Sequence, residues 1–159
     1  MKIEYTPIGV VRSPFTDRVG MPIQPAGARG VAGTIEIRPE YRDGLRDLDG
    51  FSHLILLYHF HLNTDAALEV VPFMDTVSHG IFATRSPKRP NPLGLSVVVL
   101  DGMDDGVLRI RDVDVVDGTP LLDIKPFIPE FDAHRDCRTG WLPDPGKSVT
   151  GRLADDRFV

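Results

Sequence analysis

Residues 80–100 join a polar, proline-rich loop to an apolar run of β-branched residues. The loop contains three prolines and three cations, which are Pro87, Pro90 and Pro92, and Arg85, Lys88 and Arg89. Each proline fixes its own φ and favours an extended residue before it, so the loop is expected to be stiff. A stiff loop loses little conformational entropy when it binds a ligand. The segment is therefore predicted to bind an anion or a planar group, and a structural turn with solvated charges is the alternative.

Three histidines, His53, His59 and His61, have the same parity in a predicted strand at residues 51–61. Alternate residues of a regular strand point to one face, so these side chains would lie together. A metal site would also need a further ligand and a second shell of supporting groups. Hydrogen-bonded histidines at a strand end are the simpler interpretation, and we predict no metal site. His61, next to a loop, is the best functional candidate of the three.

Short β-rich runs between turn signals must position these residues. Strands are predicted at residues 3–12, 34–37, 51–61, around Ile81, and at 95–100 and 107–111, with 121–127 extended. The tripeptide 104–106 predicts a hairpin turn, and residues 39–50 a loop with a helical turn. Residues 63–69 form a helical turn or residues 68–74 a strand broken by Pro72, and the sequence leaves both open. With no long helical period, the pattern predicts a mainly β fold, an antiparallel barrel or sandwich.

The composition favours one domain in a reducing compartment. The chain has 159 residues, a single cysteine and no N-terminal signal pattern, so a cytoplasmic location is expected. Its longest apolar runs, 54–58 and 97–100, are too short to span a membrane. We expect residues 1–140 to form the domain and residues 141–159, with Trp141 as an anchor, to form a tail that wraps it.

The charge and glycine patterns exclude two common types of site. A net charge of -5 argues against a broad basic face for nucleic acid, although a local basic site is compatible with it. Gly27, Gly30 and Gly33 do not have the G-x-G-x-x-G spacing, and they precede a strand instead of a helix. A Rossmann-type nucleotide site is therefore not predicted.

Four motifs together resemble the TsaA/TrmO-type family of tRNA methyltransferases, which use S-adenosylmethionine. They are I-G-V-V-R-S-P at 8–14, F-S-H-L at 51–54, R-S-P-K-R-P-N-P-L-G at 85–94 and D-V-V-D-G-T-P-L-L-D-I-K-P-F at 114–127. The resemblance extends from about residue 8 to residue 129. Neither composition nor fold demands the two longer motifs, so they are specific to the family.

The resemblance implies a small antiparallel β-barrel with short helical turns, a non-Rossmann S-adenosylmethionine site, and a homodimer with the site near the subunit contact. It also implies methylation of the exocyclic amine of N-threonylcarbamoyladenosine next to the anticodon of tRNA. Carried onto this sequence, the cofactor contacts are Pro25, Ala26, Gly27, His61, Leu62, Arg85, Leu95, Arg111, Asp112, Val113 and Asp114.

The residue types suit these roles. Arg85 can pair with the carboxylate of the cofactor, and Asp112 or Asp114 can favour its positive sulfonium end. If a base is used, His61 or Asp117 is the candidate, with a turn-forming role as the alternative for Asp117. The substrate is expected to contact Lys88, Arg89, Asn91 and Lys125, although Lys125 has Asp123 or Asp117 as alternative partners.

The sequence departs from the family pattern in places. Ile23 replaces an arginine, Phe127 replaces a tyrosine, and the segment between His61 and Gly80 is short. The sequence ends at Val159, without the additional C-terminal domain of better-known bacterial members, which is expected to help hold tRNA. A methyltransferase with a small-molecule acceptor and a non-catalytic S-adenosylmethionine-binding module are therefore alternative interpretations.

Overall fold

The computed structural model describes residues 1–23, 27–142, 153 and 155. Its strands are β1 (Gly9–Arg12), β2 (Ala32–Ile37), β3 (His53–His59), β4 (Glu69–Val70), β5 (His79–Gly80), β6 (Leu93–Asp104), β7 (Val107–Arg111) and β8 (Thr119–Pro126). Short 3-10 helices lie at Pro39–Leu45, Leu48–Gly50 and Ile81–Ala83, and a one-turn α-helix, α1, at Pro129–Asp132. No helix in the described part of the chain is long and apolar enough to cross a membrane.

Six strands close into a barrel in the order β1-β2-β7-β6-β3-β8, and every neighbouring pair is antiparallel. Closure leaves no sheet edge exposed among these strands. The predicted mainly β fold is confirmed, and of the two architectures left open the barrel is the one observed. β6, with 12 residues, pairs with both β3 and β7, and a register shift between Leu100 and Gly102 lets it bend.

The barrel interior is filled by alternate residues of each strand. In β3, Leu54, Leu56 and Tyr58 are buried, while the residues between them are more accessible. They pack against inward residues of the other strands and of the segment after β7, including Val11, Ile35, Val98, Leu108, Ile110, Val113, Val115 and Leu121. The alternating pattern therefore separates one packed core from an outer face that carries the charges.

Antiparallel connectivity gathers three long connections at one end of the barrel. These are residues 13–31 between β1 and β2, residues 60–92 between β3 and β6, and residues 112–118 between β7 and β8. The opposite end carries residues 38–52 and the tight turn between β6 and β7. We call the first end the long-loop end.

Several predicted elements match and others do not. β7 has the predicted bounds, and the hairpin before it turns through Asp105 and Gly106, both at positive φ. The first strand begins only at Gly9, not at residue 3. The strand predicted in the Ile81 region is observed as the short β5, which ends at Gly80 before a 3-10 turn. Of the two alternatives for residues 63–74, the strand is observed, as the short β4.

The histidine face predicted for a regular strand does not form. β3 ends at His59, and the backbone N–H of His61 bonds to the carbonyl oxygen of His59 at 2.8 Å, so His61 lies in a turn. Among the described residues there is no group of three or more side chains that could hold a metal ion.

Gly94 is expected to tolerate no side chain. It lies opposite Tyr58 in the β3–β6 ladder, and a Cβ built on it would lie 2.1 Å from Cε2 of the tyrosine ring. Gly94→Ala should lower the free energy of unfolding by about 1–3 kcal/mol because the ring must move. Urea unfolding followed by circular dichroism measures this change.

Gly44→Ala is the matched control, since nothing lies within 4 Å of a Cβ built there. Its effect should stay within about 0.5 kcal/mol. Equal stability of the two variants would contradict the assigned contact between Gly94 and Tyr58.

Candidate functional site

A cavity of about 790 Å³ opens at the long-loop end, within the size range of small-molecule sites. Its walls come from the end of β3 with the following turn, the segment 82–89, the start of β6, and residues 114–116 and 119. Residues from the 13–31 connection, residues 72–74, Trp141, Leu142 and Asp155 also line it. Separate parts of the sequence therefore form the site because the barrel brings their strand ends together.

Two residues of the cavity lining, Tyr58 and Asp114, are joined by hydrogen bonds through the buried Ser96. The hydroxyl groups of Tyr58 and Ser96 are 2.9 Å apart, and Ser96 Oγ donates to Asp114 Oδ1 at 2.6 Å. Tyr58 and Ser96 are 5% and 1% exposed. We call these residues the Tyr58–Ser96–Asp114 chain, and it ties β3, β6 and the loop after β7 to one another.

The surroundings of this chain change the acidity of its groups. Burial raises the pKa of the Asp114 carboxyl to about 6, although the bond from Ser96 and the charge of Arg85 act in the opposite direction. Burial, and then the charge of Asp114, raises the pKa of Tyr58, so its hydroxyl stays protonated at neutral pH. An acidic group and a cation thus lie near each other in a mainly apolar cavity, which suits a ligand carrying both charges.

The turn after β3 supplies a second polar part of the cavity. Burial, and then the neighbouring His59, lowers the pKa of His61, which is therefore neutral at pH 7. Two positions further on, Asn63 accepts a hydrogen bond from Arg18 Nη1 at 3.1 Å, and both residues line the cavity. Leu62, between them, also lines the cavity and is 42% exposed.

The proline-rich loop forms a wall held from inside by Arg89. Its Nη1 donates to the carbonyl oxygens of Ile81 at 3.2 Å, Thr84 at 2.8 Å and Ser86 at 3.4 Å. The guanidinium also lies 5.9 Å from the ring centroid of Phe82. Of the predicted loop cations, Arg85 and Arg89 line the cavity, but the geometry of Arg89 also gives it a structural task.

Trp141 fastens the outer side of the same wall. Its indole N–H donates to the carbonyl oxygen of Ala83 at 2.8 Å, and its ring stacks on His79 with the centroids 4.4 Å apart. His79 is in turn held by Asp75, with Nε2 and Oδ2 2.8 Å apart. Trp141 thus contacts the cavity wall, while most of the predicted tail lies outside the described residues.

The structure brings together some of the predicted site residues but not all. Those that line the cavity are His61, Leu62, Arg85, Arg89, Leu95 and Asp114. Pro25 and Ala26 lie outside the described residues. Those with described positions that are not part of its lining are Gly27, Lys88, Asn91, Arg111, Asp112, Val113, Asp117 and Lys125.

Six of the residues outside the lining have structural partners, and four of them are candidates for the cofactor site or the base. Arg111 pairs with Asp101 at 2.7 Å on the barrel exterior, and Val113 is fully buried in the core. Asp112 accepts a hydrogen bond from the backbone N–H of Gly30 at 2.6 Å, which ties the 13–31 connection to the end of β7. Asp117 accepts one from the N–H of Ser13 at 3.1 Å, which ties the connection after β7 to the end of β1.

The predicted substrate contacts are also placed outside the cavity, apart from Arg89. Lys88 Nζ lies 3.2 Å from the Asp65 carboxylate, and Lys125 Nζ lies 2.8 Å from that of Asp123. Asn91 is exposed. Of the alternatives stated for Lys125, pairing with Asp123 is therefore observed.

Several residues of the site were not identified from the sequence, namely the lining residues Arg18, Tyr58, Asn63, Phe82 and Trp141, and Ser96 behind the lining. Ser96 had a detectable signal, because it is a polar residue at an inward position of an otherwise apolar strand. Its partners had none, since they depend on the β3–β6 register and on the path of the loop after β7.

The comparisons with known proteins agree on one relationship. A model of the tRNA-methyltransferase O N-terminal domain matches residues 10–133. A protein of Pyrococcus abyssi described as a probable S-adenosyl-L-methionine-binding protein is 49% identical over 158 residues, which cover 99% of this chain and 86% of that protein. The tRNA (adenine(37)-N6)-methyltransferase of Escherichia coli is 37% identical over 148 residues, which cover 87% of this chain and 63% of the enzyme.

A solved structure gives the same result. The crystal structure of TrmO from Pseudomonas aeruginosa matches with a TM-score of 0.76 at 38% identity, covering 89% of this chain and 63% of that one. This chain therefore spans less than two thirds of the length of both the Pseudomonas chain and the Escherichia coli enzyme.

Asp114→Asn is expected to remove a pH dependence of stability. The wild-type carboxyl has a pKa of about 6 when folded against an ordinary value of 3.8, so the folded state binds more protons between these values. Its free energy of unfolding therefore falls as the pH rises through this range. Asparagine keeps an oxygen that accepts from Ser96 but cannot ionise.

The stability of the Asp114→Asn variant relative to wild type should therefore rise by up to about 3 kcal/mol between pH 4 and pH 7. Urea unfolding at a series of pH values measures the difference. A difference that does not change with pH would show that Asp114 titrates normally.

Proposed function

The chain belongs to the tRNA-methyltransferase O family, and from this membership we propose that it transfers a methyl group from S-adenosylmethionine to tRNA. The proposed acceptor is the exocyclic amine of N-threonylcarbamoyladenosine next to the anticodon. The observation that carries the proposal is the cavity at the long-loop end, where family membership coincides with a paired acid and cation.

The residues present fit S-adenosylmethionine. Asp114 would hold the positive charge of the sulfonium or amino group, and Arg85 would pair with the carboxylate. The apolar lining, which includes Phe82 and Leu95, suits the adenine ring.

We propose indirect roles for the predicted cofactor contacts that do not line the cavity. Arg111 and Val113 would act through the position of Asp114, which follows them in the chain. Asp112 would hold the 13–31 connection, in which Gly27 and the predicted contacts Pro25 and Ala26 lie. His61 and Leu62 would meet the ligand directly, since both line the cavity.

S-adenosylmethionine would supply a methyl group on a sulfonium sulfur, which becomes a neutral thioether as the S–C bond breaks and the N–C bond forms. The protein's part is mainly to hold donor and acceptor in line, which is worth up to roughly 7–11 kcal/mol in favourable intramolecular models. The acceptor nitrogen also loses a proton. We propose His61 as the group that takes it, because the neutral ring lies at the cavity with an unprotonated nitrogen available.

We further propose that Lys88, Arg89, Asn91 and Lys125 contact the RNA. Lys88 would exchange its exposed partner Asp65 for a phosphate, as surface ion pairs are weak. Arg89 would keep the hydrogen bonds from Nη1 to its own loop and would contact the RNA through its other N–H donors. Their distribution over different segments is consistent with a local basic site on an acidic protein.

A homodimer in the cytoplasm is the proposed form of the protein. Apolar side chains next to the cavity are accessible, with Phe82 77% and Leu95 47% exposed. A partner subunit over these residues would remove apolar surface from water at the mouth of the site. Sedimentation equilibrium of the purified chain measures the subunit number.

Arg85→Ala and Asp114→Ala should each weaken S-adenosylmethionine binding at least tenfold, because each removes one half of a charged pair that faces the ligand. Isothermal titration calorimetry measures the affinity. Arg46→Ala is the matched control, an exposed arginine at the opposite end of the barrel whose removal should leave binding unchanged. Unchanged binding in both cavity variants would place the cofactor elsewhere.

Methyl transfer should depend on His61. Purified protein, S-adenosylmethionine and tRNA carrying N-threonylcarbamoyladenosine should yield the methylated nucleoside, detected by mass spectrometry. His61→Gln should reduce kcat by about 10²-fold if His61 is the base. Because its pKa is lowered, the wild-type rate should fall as the pH drops through a value below 6.5.

Asp114 titrates in the same pH region as His61. The pH–rate profile of the His61→Gln variant therefore decides which of the two groups causes the fall in rate at low pH. Loss of the acidic limb in this variant supports His61, and its persistence assigns the limb to another group. Methylation of a small molecule in place of tRNA would favour the first alternative, and binding of S-adenosylmethionine without transfer to any acceptor would favour a binding module.

A further inference from the structure

The amide of Asn63 is fixed in one orientation. Arg18 Nη1 donates to its Oδ1 at 3.1 Å, and its backbone N–H donates to the carbonyl oxygen of Phe60 at 3.0 Å. A guanidinium has donors only, so the amide atom that faces Arg18 must be the oxygen. The nitrogen, with its two hydrogens, is therefore on the other branch of the side chain.

This nitrogen is buried and has no hydrogen-bond partner among the described residues. A buried donor without a partner is unfavourable, and such groups in native proteins call for an explanation. Asn63 lines the cavity, so a small movement of its turn would bring the nitrogen to a ligand oxygen there, which can supply the missing acceptor. The turn that carries Asn63 also carries His61, the proposed base, and both residues line the same cavity.

We propose that the Asn63 amide binds a carboxylate of the ligand, and that this carboxylate is the threonine carboxylate of the acceptor nucleoside. The inference rests on the proposed function, which supplies an acceptor with a carboxylate. An amide donor next to a guanidinium offers donors alone, so it suits a group that only accepts. The Asn63–Arg18 pair therefore differs from Asp114 and Arg85. Those two residues carry opposite charges, which match the ammonium and carboxylate groups of the amino acid end of S-adenosylmethionine.

The consequence is specificity for the modified nucleoside. With an unmodified adenosine in the site, the Asn63 donor would stay buried and unpaired, and sites with such donors reject ligands that lack the acceptor. The positions of Arg18 and Asn63, on two of the long connections, mean that both must be folded together before this selection operates.

Asn63→Asp is the sharpest test, because aspartate has the same shape and keeps an acceptor for Arg18. The substrates are two anticodon stem-loop RNAs that differ only in the threonine group, which is a carboxylate in one and a primary carboxamide in the other. Wild type should use the carboxylate RNA with a kcat/KM at least tenfold higher. Asn63→Asp should reverse the preference, since its carboxylate repels the first substrate and accepts a hydrogen bond from the second.

Asn63→Ala should abolish the preference without reversing it. The affinity for S-adenosylmethionine, measured by calorimetry, should be unchanged in both variants. If Asn63→Asp weakens cofactor binding and leaves the acceptor preference intact, the amide serves the cofactor carboxylate and the inference is wrong. An unchanged preference together with unchanged cofactor binding would also overturn it.

Binding separates this inference from the proposed function. Fluorescence anisotropy of both RNAs, in the presence of S-adenosylhomocysteine, reports the carboxylate preference without turnover. A preference that Asn63→Asp reverses, in a protein that transfers no methyl group, would sustain the inference and refute the proposed activity. If the wild-type protein transfers a methyl group but binds both RNAs equally, the proposed activity is supported and the inference about Asn63 is refuted.

Discussion

The contact between the ring of Tyr58 and the bare backbone of Gly94 is the constraint on which the functional end of this barrel depends. Only a residue without a side chain lets the ring lie across β6 at this point. The ring then presents its hydroxyl to Ser96, and Ser96 presents its own to Asp114. One missing methyl group thus sets the position of a carboxylate that lies 20 residues further along the chain.

The barrel contributes rigidity, and the connections contribute chemistry. Every strand of the closed sheet has two partners, so the strand ends at the long-loop end have fixed spacings. The charged groups of the cavity lie just beyond or near those ends. A positively polarised helix terminus, the usual feature of nucleotide sites, is not used by the described part of this cavity. Individual side chains supply the charges in its place, and burial shifts the pKa values of Asp114 and His61.

The sequence predicted the parts that depend on local pattern. β7 and the turn before it follow from alternation and from a dipeptide that accepts positive φ. Arg85, His61, Leu95 and Asp114 were placed in the site by motif resemblance, and the structure brings them to one cavity. Local sequence pattern did not predict the role of a residue whose hydrogen-bond partner is distant in the sequence. Asp117 is occupied by Ser13, about a hundred residues earlier, and Ser96 is explained only by the ladder that aligns β3 with β6.

The hydrogen bonds of Arg89 to its own loop affect how related sequences should be compared. Three carbonyl oxygens of its own loop accept hydrogen bonds from its Nη1, so this cation holds the loop in its conformation. Its presence in a related sequence therefore identifies the architecture and is silent about the acceptor. Divergence in substrate choice within such a group should instead be sought at positions such as Arg18 and Asn63, which no signature motif contains.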